Sequence, residues 1–128
     1  MKKMIRITSF ACLLTFLFIS NNAFTQAVTP KAKFDPNLVI ELDPSATLSA
    51  IYEIDITAMS FKDENAAKIF FRTMTDNLVN VDLNYAEKKA MLNLHTQYKE
   101  AWTIAEWNDY LYKNAERYRL AYNRVNAE

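Results

Sequence analysis

The chain has no glycine, one cysteine and three prolines among its 128 residues, and each scarcity excludes something. Phosphate-cradling loops of the G-x-x-x-x-G-K-[ST] or G-x-G-x-x-G type need glycine for close backbone approach and positive φ. The G-x-S-x-G nucleophile elbow needs it for a strained turn. None of these can be present, and turns must use Asn, Asp and Pro, as at Asp35-Pro36-Asn37 and Asp43-Pro44-Ser45. The one cysteine, Cys12, lies near the N-terminus, so residues 28–128 can form neither a disulfide nor a thiolate metal site. There is no N-x-[ST] sequon, no internal repeat and no basic run.

The N-terminus carries export signals. Lys2, Lys3 and Arg6 precede an apolar stretch from Phe10 to Ile19, too short to span a bilayer as a helix, which takes about 20 residues. Ser20-Asn21-Asn22 ends the stretch, and Ala23, Thr25 and Ala27 supply the small residues of a cleavage site after Thr25 or Ala27. Ser9-Phe10-Ala11 is a poor lipobox before Cys12. Residues 1–27 therefore read as a signal peptide, 28–49 as an extended lead-in and 50–128 as the folded domain. The expected product is periplasmic or secreted, with no membrane segment in its mature form. Cleavage removes three of the 15 Lys and Arg and none of the 15 Asp and Glu, leaving 12 against 15, a net charge of −3. That balance argues against a nucleic-acid partner, because phosphate contacts dominate such affinity.

The lead-in holds Pro30, Pro36 and Pro44, with the short apolar segment Leu38-Val39-Ile40-Glu41-Leu42 between two turn signals, either an edge strand or a loose arm. Tyr52, Ile54 and Ile56 then alternate with Glu53, Asp55 and Thr57, the pattern of a half-buried strand. From Asp63 to about residue 77 the period becomes helical through Ala66, Phe70, Met74 and Leu78, with Asp63 and Glu64 at its start. Alternation returns at Val79, Val81 and Leu83 and again at Ala90, Leu92 and Leu94, a β-hairpin around Ala86-Glu87-Lys88-Lys89. Thr103-Ile104-Ala105-Glu106 matches a capping box and opens a last helix. The order strand, helix, strand, strand, helix predicts an α+β two-layer sandwich, a three-stranded sheet with both helices on one face.

Over about residues 50–112 this order resembles the heavy-metal-associated domain, whose fold is ferredoxin-like, βαββαβ. In that family a Gly-Met-x-Cys-x-x-Cys loop holds a soft metal, and the corresponding stretch here is Ala58-Met59-Ser60-Phe61-Lys62-Asp63-Glu64. Only Met59 matches, and Phe61 and Glu64 stand where the cysteines would be. The resemblance implies the fold without the metal activity.

No residue set commits the chain to a reaction or a cofactor. His95, the one histidine, has no second imidazole at helical or hairpin spacing to share a metal. Ser60, Thr73 and Thr75 have no base beside them in sequence. Glu53 and Asp55 share one strand face, where carboxylates either hold a hard cation such as calcium or serve as a solvated surface. The last helix, from Thr103 to about Arg124, would run ~33 Å, longer than a strand of ~17–20 Å. Its stripe of Trp107, Leu111, Tyr118 and Tyr122 then either overhangs the core as an interaction surface or packs on residues 38–42, and no Gly or Pro is there to bend it. The expectation is an exported, non-catalytic module that binds a protein partner or a second copy through this stripe. The alternative is a small-ligand or hard-cation binder using the acidic sheet face.

Overall fold

The computed structural model describes residues 28–127, and the expected leader lies outside them. Its elements are β1 (Lys31–Phe34), β2 (Ile40–Leu42), β3 (Ile51–Asp55), α1 (Glu64–Met74), β4 (Val79–Asn84), β5 (Lys89–Leu94), a 3-10 turn at Thr96–Tyr98, α2 (Ile104–Lys113) and α3 (Ala115–Asn126). The class is α+β, with a wider sheet and one more helix than the sequence pattern predicts. The strands form one mixed sheet in the order β2-β1-β3-β5-β4, in which only β1 and β3 run parallel.

Period-two alternation decides which face is covered. Tyr52 and Ile54 of β3, Ala90, Leu92 and Leu94 of β5 and Ile40 and Leu42 of β2 are buried under the helices. Lys31, Lys33, Glu41, Asp55 and Lys89 stand on the opposite, open face. On the helical side, α1 buries Ala66, Ala67, Phe70, Phe71 and Met74, and Asp63 caps it by accepting from the Ala66 N–H at 2.8 Å. Thr103 and Glu106 form the capping box of α2. The helix α1 packs on β4 and on α3, while α2 packs on β2.

Three expectations are corrected. Residues 28–49 are no separate lead-in: β1 and β2 form a hairpin within the sheet, and Ala32, Ile40 and Leu42 belong to the core. Its loop reaches the left-handed region at Leu38 (φ 63°), as the β4–β5 loop does at Lys88 (φ 56°), so two turns place ordinary residues where glycine is favoured. The C-terminal helix is not one rod. It breaks at Asn114 (φ −92°, ψ −4°), whose side-chain amide donates to the Tyr110 carbonyl and accepts from Arg117. Past the break α3 packs on α1, so the aromatic stripe has no overhang. Trp107, Leu111 and Tyr118 have no exposed surface, and half-buried Tyr122 stacks edge-on against Phe61 and Phe70.

Candidate functional site

The residues singled out in the sequence are not brought together. Trp107, Leu111 and Tyr118 fill the core, and the Tyr122 hydroxyl is held by both backbone groups of Ser60, at 2.8 and 2.7 Å. Tyr122 alone of the four keeps part of its surface exposed. Glu53 sits between Lys89 at 3.1 Å and Lys31 at 3.5 Å. The Lys89 contact, supported by Lys31, holds its carboxyl below the usual range, as the Thr57 hydroxyl does for Asp55. Both acids are already neutralised or hydrogen-bonded, and among the described residues no three His, Asp or Glu side chains converge on a point where a metal could sit.

His95 follows the end of β5. Its Nδ1 donates to the Asn77 carbonyl at 2.9 Å and its Nε2 meets the Asn80 amide at 2.7 Å, so neither ring nitrogen is free. Ser60 lends only its backbone to Tyr122, and the Thr73 hydroxyl bonds back to the Ile69 carbonyl within α1. The polar cluster nearest to His95 is structural as well. Asp76 accepts from the Leu78 and Val79 N–H groups through one oxygen and from Tyr110 and Arg117 through the other. It ties the α1–β4 loop to the break between α2 and α3.

A cleft of about 630 Å³ opens beside β1 and β2, with Lys31, Lys33, Asp43 and Asn108 on its walls. Lys31 is engaged with Glu53, Asp43 with the Ser45 hydroxyl and Asn108 with Leu42, while the side chains of Lys33 and Glu41 in the same lining have no bonded partner among the described residues.

The two edges of the sheet differ in a way that does leave groups free. In an antiparallel pair, residues alternately turn their backbone groups toward the partner strand or away from it. On β2, the register Ala32↔Leu42 and the bond from Asp35 N–H to the Val39 carbonyl turn the Leu42 groups outward. Asn108 of α2 takes both: its Oδ1 accepts from the Leu42 N–H at 2.9 Å and its Nδ2 donates to the Leu42 carbonyl at 3.0 Å. A side-chain amide thus stands where another strand would.

On β4, the His95 N–H bonds the Leu78 carbonyl at 2.8 Å, which fixes Leu78, Asn80, Asp82 and Asn84 as the residues facing β5. Val79, Val81 and Leu83 therefore face outward. Asp76 closes the first of these, since its side chain accepts from the Val79 N–H and its own N–H donates to the Val79 carbonyl. Among the described residues nothing pairs the outward groups of Val81 and Leu83. Beside them runs a groove of about 350 Å³ between the strand and α1, walled by Lys68, Phe71 and Arg72 on the helix and by Val81, Asp82 and Leu83 on the strand. Val81 and Leu83 are half-buried and continue the core outward. Lys68 pairs with Glu64 at 3.3 Å, whereas exposed Arg72 has no acidic partner among the described residues.

The alternation of Val79, Val81 and Leu83 is legible in the sequence, and Lys68 and Arg72 are one helical turn apart. What the sequence does not reveal is that β4 ends the sheet. Compared with protein-family models, with curated proteins and with solved structures, the chain matches none.

Proposed function

We propose that this chain is an exported, non-catalytic binding module that takes up an extended segment of a protein partner along the outer edge of β4. One observation carries the reading: a six-residue edge strand keeps the backbone groups of Val81 and Leu83 unpaired beside a groove, while at the opposite edge Asn108 occupies both outward groups of Leu42. Exposed edges invite strand pairing, and natural sheets commonly blunt them. Strand addition supplies main-chain hydrogen bonds for affinity and lets the flanking groove select alternate side chains. Export rests on the Lys2 to Ala27 signals, and the absence of a reaction centre on the engagement of His95, Glu53 and Asp76 in structural bonds. The frame itself reads as a variant of the ferredoxin-like order. From β3 to α2 the sequence of elements is kept, and β1, parallel to β3, occupies the flank where a final strand would otherwise lie.

The test is a random-peptide display library panned against residues 28–128. Recovered binders are then measured on Val81→Pro, a substitution that removes an outward N–H without breaking the β4–β5 ladder. Binders that lose affinity for the variant while its circular dichroism stays native are the expected result. Binders indifferent to Val81→Pro, or no enrichment at all, would overturn the edge as the site.

A further inference from the structure

The identity of the occupant can be taken further, on the premise that the β4 edge is where binding occurs. A strand laid against Val81 and Leu83 would continue the alternation of the sheet. Its residues opposite Val81 and Leu83 turn toward the helical layer, and the residue between them, opposite Asp82, turns toward the open face. The two faces differ in charge. On the helical side the groove presents exposed Lys68 and Arg72 beside the half-buried apolar side chains of Val81 and Leu83. On the open side it presents Asp82, whose carboxylate already accepts from Asn93 at 3.2 Å.

We infer that the groove takes an extended segment of alternating charge, with carboxylate side chains facing α1 and a neutral or basic residue facing Asp82. Glutamate suits the inner positions, because its methylene stem can lie on Val81 and Leu83 while its carboxylate reaches the guanidinium of Arg72, which can bind it in bidentate fashion. The same charges count against a second copy of this chain. Two β4 edges joined about a twofold axis at Asp82 would set that carboxylate against its own copy and bring two pairs of Lys68 and Arg72 together, and like charges directly opposite are destabilising.

The experiment uses residues 28–128 and three labelled peptides of equal length, in which threonine alternates with glutamate, with lysine or with glutamine. Binding is followed by fluorescence anisotropy. The glutamate peptide should bind most tightly and weaken with added salt. Arg72→Gln should weaken it by about threefold, and Arg72→Glu by about tenfold while improving the lysine peptide, as expected for charges at the rim of an interface. Val81→Pro should abolish all binding. If the three peptides bind alike and all are lost in Val81→Pro, strand addition stands and the charge assignment falls. If the glutamate peptide binds equally to wild type and Val81→Pro, or if no peptide binds, the edge site itself is refuted and the inference goes with it. The Arg72 variants alter an exposed residue with no ion pair among the described residues, and their melting curves check that the fold is kept.

Discussion

Tyr118 lies on the stripe that the sequence offers as an interaction surface and Tyr110 lies on α2 before it, and their hydroxyls have opposite surroundings. The Tyr110 hydroxyl donates to Asp76, which Arg117 also reaches at 3.4 Å. The Tyr118 hydroxyl is fully buried and has no hydrogen-bond partner among the described residues. An unpartnered buried donor costs about 1–3 kcal/mol. Tyr118→Phe should therefore raise the unfolding free energy by about 1 kcal/mol in urea titration, whereas Tyr110→Phe, which strips a donor from a carboxylate, should lower it by about 1–2 kcal/mol. Burial pushes the Tyr118 phenol up to about 12, and burial followed by the bond to Asp76 pushes Tyr110 upward as well. Both phenols hold their proton more tightly in the folded chain than in the unfolded one, where the ordinary value is about 10. Their contribution is complete below about pH 10, and that of Tyr118 is lost as the pH rises through about 12. Stability should decline over that alkaline window and decline less steeply in Tyr118→Phe. An unchanged slope would mean that the Tyr118 proton is not linked to folding.

At the level of elements, the two sheet edges make the sharpest contrast, and the bonds that cover Leu42 on β2 can be removed by a single change. Asn108→Ala removes both hydrogen bonds to the Leu42 backbone while leaving the neighbouring core residues Trp107 and Leu111 in place. The expected cost is about 1–2 kcal/mol, with amide exchange at Leu42 accelerated and that at Leu92, in the middle of the sheet, little changed. Unaltered exchange at Leu42 would show that Asn108 is not what covers it. Which elements the sequence makes legible follows from how local their causes are. The helix α1 and the β4–β5 hairpin are readable because period and cap lie within each segment: Asp63 at the helix start, alternation from Val79 to Leu83 and from Ala90 to Leu94. The break at Asn114 is not readable, because neither Gly nor Pro marks it. Arg117 fixes it by reaching the Thr73 carbonyl and Asp76, far away in sequence. The strand β1 carries two lysines in its four residues, Lys31-Ala32-Lys33-Phe34, and shows as a strand only once β3 lies alongside. The candidate groove is hidden for a related reason: its residues are plain in the sequence, but strand order decides which hairpin arm lies at the edge.

For the whole molecule, the decisive question is whether the C-terminal helix is an appendage or a wall of the core. A straight helix outrunning the sheet would be removable beyond its first half. In the fold α3 packs on α1 instead: Ala115, Tyr118 and Ala121 are buried, Tyr122 meets Phe61 and Phe70 at ring distances of 5.4 and 5.6 Å, and Asn126 holds Ser60 and Lys62. Removing residues 114–128 would uncover Phe70, which has no exposed surface, and cut the anchors of the segment that leads into α1. Loss of one large buried aromatic costs about 3–5 kcal/mol, and a domain of this size is stable by only about 5–15 kcal/mol in total. The chain ending at Lys113 is therefore expected to lose its cooperative thermal transition and near-ultraviolet dichroism. A truncated chain that still melts in one sharp step would return α3 to the status of an overhang, and the aromatic stripe would again be available to a partner.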